Sequence, residues 1–212
     1  MTKPLNNARP RKETILMIAE EAFAQYSFSG TSIRLITKRL GANSAMISYY
    51  FGSKEGLYFD IFKSRLADAG EEINRFTKLD LNPPEKLKVY LIAYIKRVAA
   101  NQNFHRLLCN ELVAEQHPSI IVQVAAARKR IYNFLLKTVN DGITKGFFKK
   151  VDEEIFVLNV LSLIRSVFTD HLNSGIHLSQ SPQDDLTRRI VDYLMSALTI
   201  EDQHQIKTKS YV

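Results

Sequence analysis

Between residues 31 and 54 lie the side chains whose types and spacing could do chemistry, and that chemistry is hydrogen bonding and ion pairing to a polyanion. Arg34, Lys38 and Arg39 supply cations for solvent or phosphate. Just beyond them, Ser44, Ala45, Ser48 and Tyr49 are small or carry hydroxyls. Small residues permit close approach to base edges, hydroxyls can meet phosphates or bases, and an alanine methyl can touch that of thymine. Catalytic constellations are missing. The chain has no Ser/His/Asp order, glycine-rich phosphate loop or HExxH pair, so neither an enzyme nor a cofactor is expected. His105 and Cys109, four apart on one helical face, make only half a metal site; zinc takes three or four ligands, and no metal is expected.

Two short helices and a tight corner are needed to hold residues 31–54 in place. Thr31 is an N-cap type, and Ile33, Leu35, Ile36 and Leu40 give the following helix an apolar face. Gly41 can take the left-handed conformation that ends a helix, and Asn43 has the side-chain oxygen to cap a second one over Ser44 to Tyr50. Met46, Ile47 and Phe51 can anchor that second helix to the first. Helix, short glycine-containing turn, helix is the helix-turn-helix pattern, whose second member enters the DNA major groove. A helical hairpin buried in a bundle has the same apolar faces and stands as the competing reading. Upstream, Ile15, Ile18, Ala19, Ala22, Phe23 and Tyr26 form one stripe that braces the hairpin. Phe28, Ser29 and Gly30 turn the chain, with the positive φ expected at Gly30.

The stretch Gly41 to Tyr58, GANSAMISYYFGSKEGLY, resembles the DNA-binding signature of the TetR family of bacterial transcriptional repressors. It shares the Gly-x-Asn/Ser cap, the aromatic pair ending in Phe, and the Gly-Ser-Lys-Glu corner into a fourth helix. The likeness covers roughly the first 65 residues. It implies that Asn43 to Tyr50 is the recognition helix, with Ser44, Ala45, Met46, Ser48, Tyr49 and Tyr50 among the DNA-binding residues. Thr31 and Ser32 would anchor on the DNA backbone, Arg34 beside them, and Lys54 would contact a phosphate. Ser48 and Tyr50 stand where the family often has tyrosine and histidine.

Charge is distributed in keeping with this. The net charge of +7 is uneven: residues 1–54 hold eight basic and three acidic side chains, and the remaining 21 basic are nearly balanced by 19 acidic. A basic excess beside the motif suits a phosphate partner. Residues 1–10 form an aperiodic arm, and Lys3, Arg9, Arg11 and Lys12 could reach a DNA backbone or minor groove. One cysteine, no apolar signal-peptide core at the start and no span long enough for a bilayer point to a reducing cytosol, which the TetR resemblance implies is bacterial. Ser53 is expected to cap a helix whose N-terminal N–H groups could receive a phosphate.

The rest of the chain shows helices only. One runs from Ser53 through Leu57, Tyr58, Ile61, Phe62 and Leu66 to about Phe76, a mechanical link between head and body. Leu79 to Pro84 breaks the pattern. Helices then follow over 85–101, 104–115 and 118–145, from Asp152 to about Asn173, and from Asp184 or Asp185 through Leu198. Ile155 to Phe168 is apolar around most of its circumference and must be buried all round, one face against a second copy. With the last helix it would form a four-helix dimer interface, as the TetR resemblance also implies. Polar groups on apolar helices, His105, Cys109, Tyr132, Arg165 and Thr169, are candidates for an effector pocket.

The expected fold is all-α: an N-terminal three-helix helix-turn-helix head on a helical-bundle body for ligand binding and dimerisation, about nine helices in total. The expected segments are a flexible basic arm (1–10), a DNA-binding domain (11–56), an effector-binding and dimerisation domain (57–200) and a polar tail (201–212). The function expected is a homodimeric transcriptional regulator, a repressor released from a palindromic operator by a small apolar or amphipathic effector. The alternative is a helical ligand-carrier or protein-interaction dimer without DNA readout.

Overall fold

The computed structural model describes residues 12–170 and 183–200, apart from the side chains of residues 169, 170 and 183. Nine α-helices and no strand occur among the described residues: α1 (Lys12–Gly30), α2 (Ile33–Leu40), α3 (Ser44–Phe51), α4 (Lys54–Thr77), α5 (Pro83–Ala100), α6 (Gln102–Ala114), α7 (Pro118–Thr144), α8 (Glu153–Arg165), which runs into a π-helical turn at Ser166–Asp170, and α9 (Gln183–Ser196). The expected residues of the arm before Lys12, the end of the eighth helix near Asn173 and the tail from 201 lie outside the described residues.

The described residues divide into two compact units, 12–72 with 101–129, and 73–100 with 130–170 and 183–200. The first is broader than the expected segment 11–56, because α6 and the start of α7 belong to it. Its core joins Ile15, Phe23, Ile36, Ile47, Leu57 and Phe62 to Phe104, Leu107, Ile120 and Val124. Helix α1 packs on both α2 and α6, and α2 on α3. The second unit gathers Leu87, Tyr90, Leu91 and Ile95 of α5 with Leu135, Val139, Val157, Val160, Ile164, Val191 and Leu194. The stripe along α7 therefore serves two cores, Ile120 and Val124 in one and Leu135 and Val139 in the other.

Local chemistry explains the ends of the hairpin helices. Gly41 takes φ 61° and ψ 31° and closes α2, as its type predicts; the Asn43 side chain accepts the Ala45 N–H at 3.0 Å and opens α3. Two expectations need correcting here. Ser32, not Thr31, caps α2, its hydroxyl accepting the Leu35 N–H at 3.2 Å. The positive φ before it falls on Ser27 (φ 62°, ψ 173°), not Gly30, and kinks α1. Thr31 holds the kink, donating its hydroxyl to the carbonyls of Ser27 (2.7 Å) and Ala22 (3.2 Å).

Helix α8 divides its apolar residues between a buried and an exposed face. Phe156, Val157, Val160 and Ile164 are buried, but Ile155 and Leu158 remain 58% and 55% exposed, so its apolar circumference is covered on one side only within a single chain. On α6, Val113 is exposed and Glu111 takes a buried place.

Candidate nucleic-acid interface

Helix α3 is eight residues long and contains no charged side chain. Ile47 and Phe51 are buried and fix its inner face, with Met46 and Tyr50 half-buried at the flanks. The outer face carries Asn43, Ser44, Ala45 and Ser48, all exposed, and Tyr49, 81% exposed with its ring edge-on to Tyr50 at 5.1 Å. Small and hydroxyl-bearing groups thus form one continuous exposed strip, which is what a helix needs to approach base edges without a steric or electrostatic penalty. On α2, Ser32, Arg34 and Lys38 are exposed. Arg39 is turned toward α1, donating to the Gln25 amide oxygen at 2.8 Å and the Tyr26 hydroxyl at 3.3 Å.

Two residues carried over from the resemblance are engaged inside the protein. Thr31 is buried and spends its hydroxyl on the α1 kink. The Lys54 ammonium donates to the carbonyls of Phe28 and Thr31, each at 3.1 Å, and stands 4.2 Å from the centre of the Phe28 ring. It therefore closes the C-terminal end of α1, a cation at the negative end of a helix dipole. An ammonium has three donors. Two are taken.

The start of α4 is filled by the chain's own groups. Ser53 accepts the Gly56 N–H through its hydroxyl at 3.0 Å. The Glu55 carboxyl is held below its ordinary range by its own backbone N–H, with the Ser53 hydroxyl next in weight. The phosphate expected on these N–H groups would meet a carboxylate instead. Gly56 has a role that sequence reading missed: a Cβ there would lie 2.0 Å from the Phe51 carbonyl oxygen, so only glycine lets α4 start this close to the end of α3. Lys12, assigned to the basic arm, opens α1, pairs with Asp60 at 2.7 Å and lies 5.2 Å from the centre of the Phe51 ring.

The proposed effector residues do not fall in one unit. His105 and Cys109 are half-buried on α6 in the first; Tyr132 on α7, half-buried, and Arg165 at the end of α8, exposed, are in the second. The Thr169 side chain is outside the described residues. The Tyr132 hydroxyl is pushed above the ordinary phenol range, first by desolvation and then by Glu154, Asp152 and Glu153 at the start of α8. No group of three or more His, Cys, Asp or Glu able to hold a metal occurs among the described residues. Glu111 was overlooked in the sequence, although its spacing from Phe104 and Leu107 puts it on the buried stripe of α6.

A short uncharged helix with an exposed hydrogen-bonding face, seated across a glycine turn on a second short helix, defines a helix-turn-helix DNA-binding regulator. Residues 15–61 match the family described as bacterial regulatory proteins, tetR family, and residues 80–198 match the tetracyclin repressor-like C-terminal domain. The chain belongs to the TetR family of transcriptional regulators. It is 25% identical over 166 residues to the HTH-type transcriptional repressor NicS of Pseudomonas putida, covering 74% of this chain and 73% of that one. Among solved structures, the ketosteroid transcriptional regulator KstR2 of Mycobacterium tuberculosis superposes with a TM-score of 0.75 at 16% identity, over 92% of this chain and 98% of the other. The regulator FadR of Bacillus subtilis, solved in complex with stearoyl-CoA, gives a TM-score of 0.67 at 18% identity, over 89% and 100%. At these identities the two structures share the fold. No helix among the described residues is long and apolar enough to cross a membrane.

Proposed function

We propose that this regulator is a cytoplasmic, non-enzymatic homodimeric repressor that reads an inverted-repeat operator through α3 and leaves it when a small apolar or amphipathic effector binds the second unit. The observation that carries this reading is the exposed strip Asn43, Ser44, Ala45, Ser48 and Tyr49 above the buried anchors Ile47 and Phe51. Tyr49 is assigned to base contact, with Ser44, Ala45, Ser48, Met46 and Tyr50 around it, and Ser32, Arg34 and the remaining donor of Lys54 to phosphates. Thr31 acts on DNA through the corner it holds. The exposed apolar residues Ile155 and Leu158 of α8, with Tyr193 of α9, supply the dimer face. A twofold dimer reads half-sites roughly 34–36 Å apart.

Repression is suggested by the relative NicS, and an amphipathic effector by FadR, whose structure holds stearoyl-CoA. Effector and operator then bind with negative coupling, because the effector favours a conformation whose recognition helices no longer match the half-site spacing. Selection of duplexes from a random pool by the full-length protein tests the reading. Enrichment of a palindrome, bound two chains per duplex with affinity falling steeply in salt, is the expected result. A protein that enriches no sequence is a dimeric carrier or interaction module instead.

A further inference from the structure

The first unit contains a buried carboxylate with no place in the interface described above. Glu111 on α6 is 2% exposed. Its Oε2 accepts the Tyr58 hydroxyl of α4 at 3.0 Å and lies 3.0 Å from His117 Nδ1, while its Oε1 accepts the His117 backbone N–H at 2.7 Å. A carboxylate partner assigns the proton to Nδ1, so His117 is held to one side chain by two hydrogen bonds, one from its ring and one from its backbone N–H. The link between α6 and α7, which begins with Glu115 in the left-handed conformation (φ 50°), is thereby tied back onto its own preceding helix.

The His117 ring fixed in this way packs on the α1 corner. Its centroid lies 4.7 Å from that of Phe28, edge to face, and 5.0 and 5.8 Å from those of Tyr58 and Phe59. Phe28 follows the strained Ser27, stacks on Phe23 at 5.8 Å, and presents its carbonyl to the Thr31 N–H and to Lys54. Four residues later Ser32 caps α2. An unbroken series of contacts thus runs from the carboxylate through the imidazole to the residue on which the chain pivots into the hairpin.

We infer that Glu111 is a positioning residue for operator recognition: through His117 it seats Phe28 and so sets the attitude of α2 and α3. This rests on the functional reading above. A carboxylate is an expensive way to fill a core, since an apolar residue of similar volume usually does as well or better for stability. A directional task accounts for it: no apolar side chain would hold an imidazole edge-on to Phe28 while bonding Tyr58.

The test uses full-length protein, the duplex it selects and a scrambled duplex of the same composition. Glu111→Ala and His117→Ala should lower the ratio of selected to scrambled affinity by roughly three- to thirty-fold. Binding to the scrambled duplex and its salt dependence should stay at the wild-type level, a pattern that partial unfolding would not produce. Because Glu111 acts through His117, the double variant should lose little more than His117→Ala alone. Where alanine variants fold poorly, His117→Phe keeps the ring and loses Nδ1, and should show the same fall in the ratio. An unchanged ratio, losses that add in the double variant, or equal weakening on both duplexes would overturn the inference. If the wild-type protein itself does not discriminate between duplexes, the functional reading fails, and this inference with it.

Discussion

Replacing Gly56 by alanine tests whether the junction of α3 and α4 is as close as the structure has it. Two effects oppose each other. Gly56 sits inside a helix, so alanine alone would stabilise α4 by about 1 kcal/mol through backbone entropy. Against this, the new Cβ would stand 2.0 Å from the Phe51 carbonyl oxygen, over 1 Å inside an ordinary contact, and the obstacle is backbone that cannot rotate away. Overpacking of this kind costs typically 1–3 kcal/mol, and a backbone clash belongs at about 3. The clash wins, leaving a net loss of about 2 kcal/mol. For a chain of this size that lowers the thermal midpoint by about 4–8 °C. The displaced group is the end of α3, so discrimination between selected and scrambled duplexes should fall as well. Calorimetry or circular dichroism measures the first effect and competition binding the second. A Gly56→Ala protein as stable as wild type would refute the argument, because only an open junction lets the helix-propensity gain prevail.

Three further outcomes are expected. Tyr49→Ala, at an 81% exposed position, should change the midpoint by no more than about 0.5 kcal/mol equivalent while altering which base pairs are preferred in a repeated selection; an unchanged preference removes Tyr49 from the reading face. Leu158→Glu places a charge on the exposed apolar side of α8 and should yield monomers by analytical ultracentrifugation with helicity intact, whereas a persistent dimer would locate the contact elsewhere. Tyr90 is fully buried, its hydroxyl has no hydrogen-bond partner among the described residues, and desolvation, followed by Tyr94, raises its ionisation far above the ordinary phenol range. A group raised on folding contributes stability that is complete below its unfolded pKa and lost above it. Wild-type stability should therefore fall as pH climbs past about 10, where the unfolded phenol ionises. Tyr90→Phe should make that fall shallower and gain up to about 1 kcal/mol at neutral pH; a steeper alkaline loss or a large neutral-pH penalty would contradict the burial of an unpaired hydroxyl.

What the sequence determined by itself is whatever depends on neighbours along the chain. Gly41 and Asn43 end one helix and start the next through conformational freedom and a side chain reaching two residues on, so the hairpin was legible before any coordinates. The apolar periods of α1, α4, α5 and α7 identified an all-α protein, since burying one face of a helix requires a spacing that sequence displays directly. Local type also misled. Thr31 and Gly30 looked like a cap and a turn, but a buried hydroxyl bonding back to Ala22 and Ser27 shifted the cap to Ser32 and the strain to Ser27. Tertiary structure alone decided that Lys54 closes α1 across 23 to 26 residues of chain, that Glu111 faces Tyr58 and His117, and that Gly56 meets the Phe51 carbonyl. A charge or a missing methyl has no periodicity; what it does depends on which backbone or ring folding brings within a few ångströms, and that is a property of the packed core.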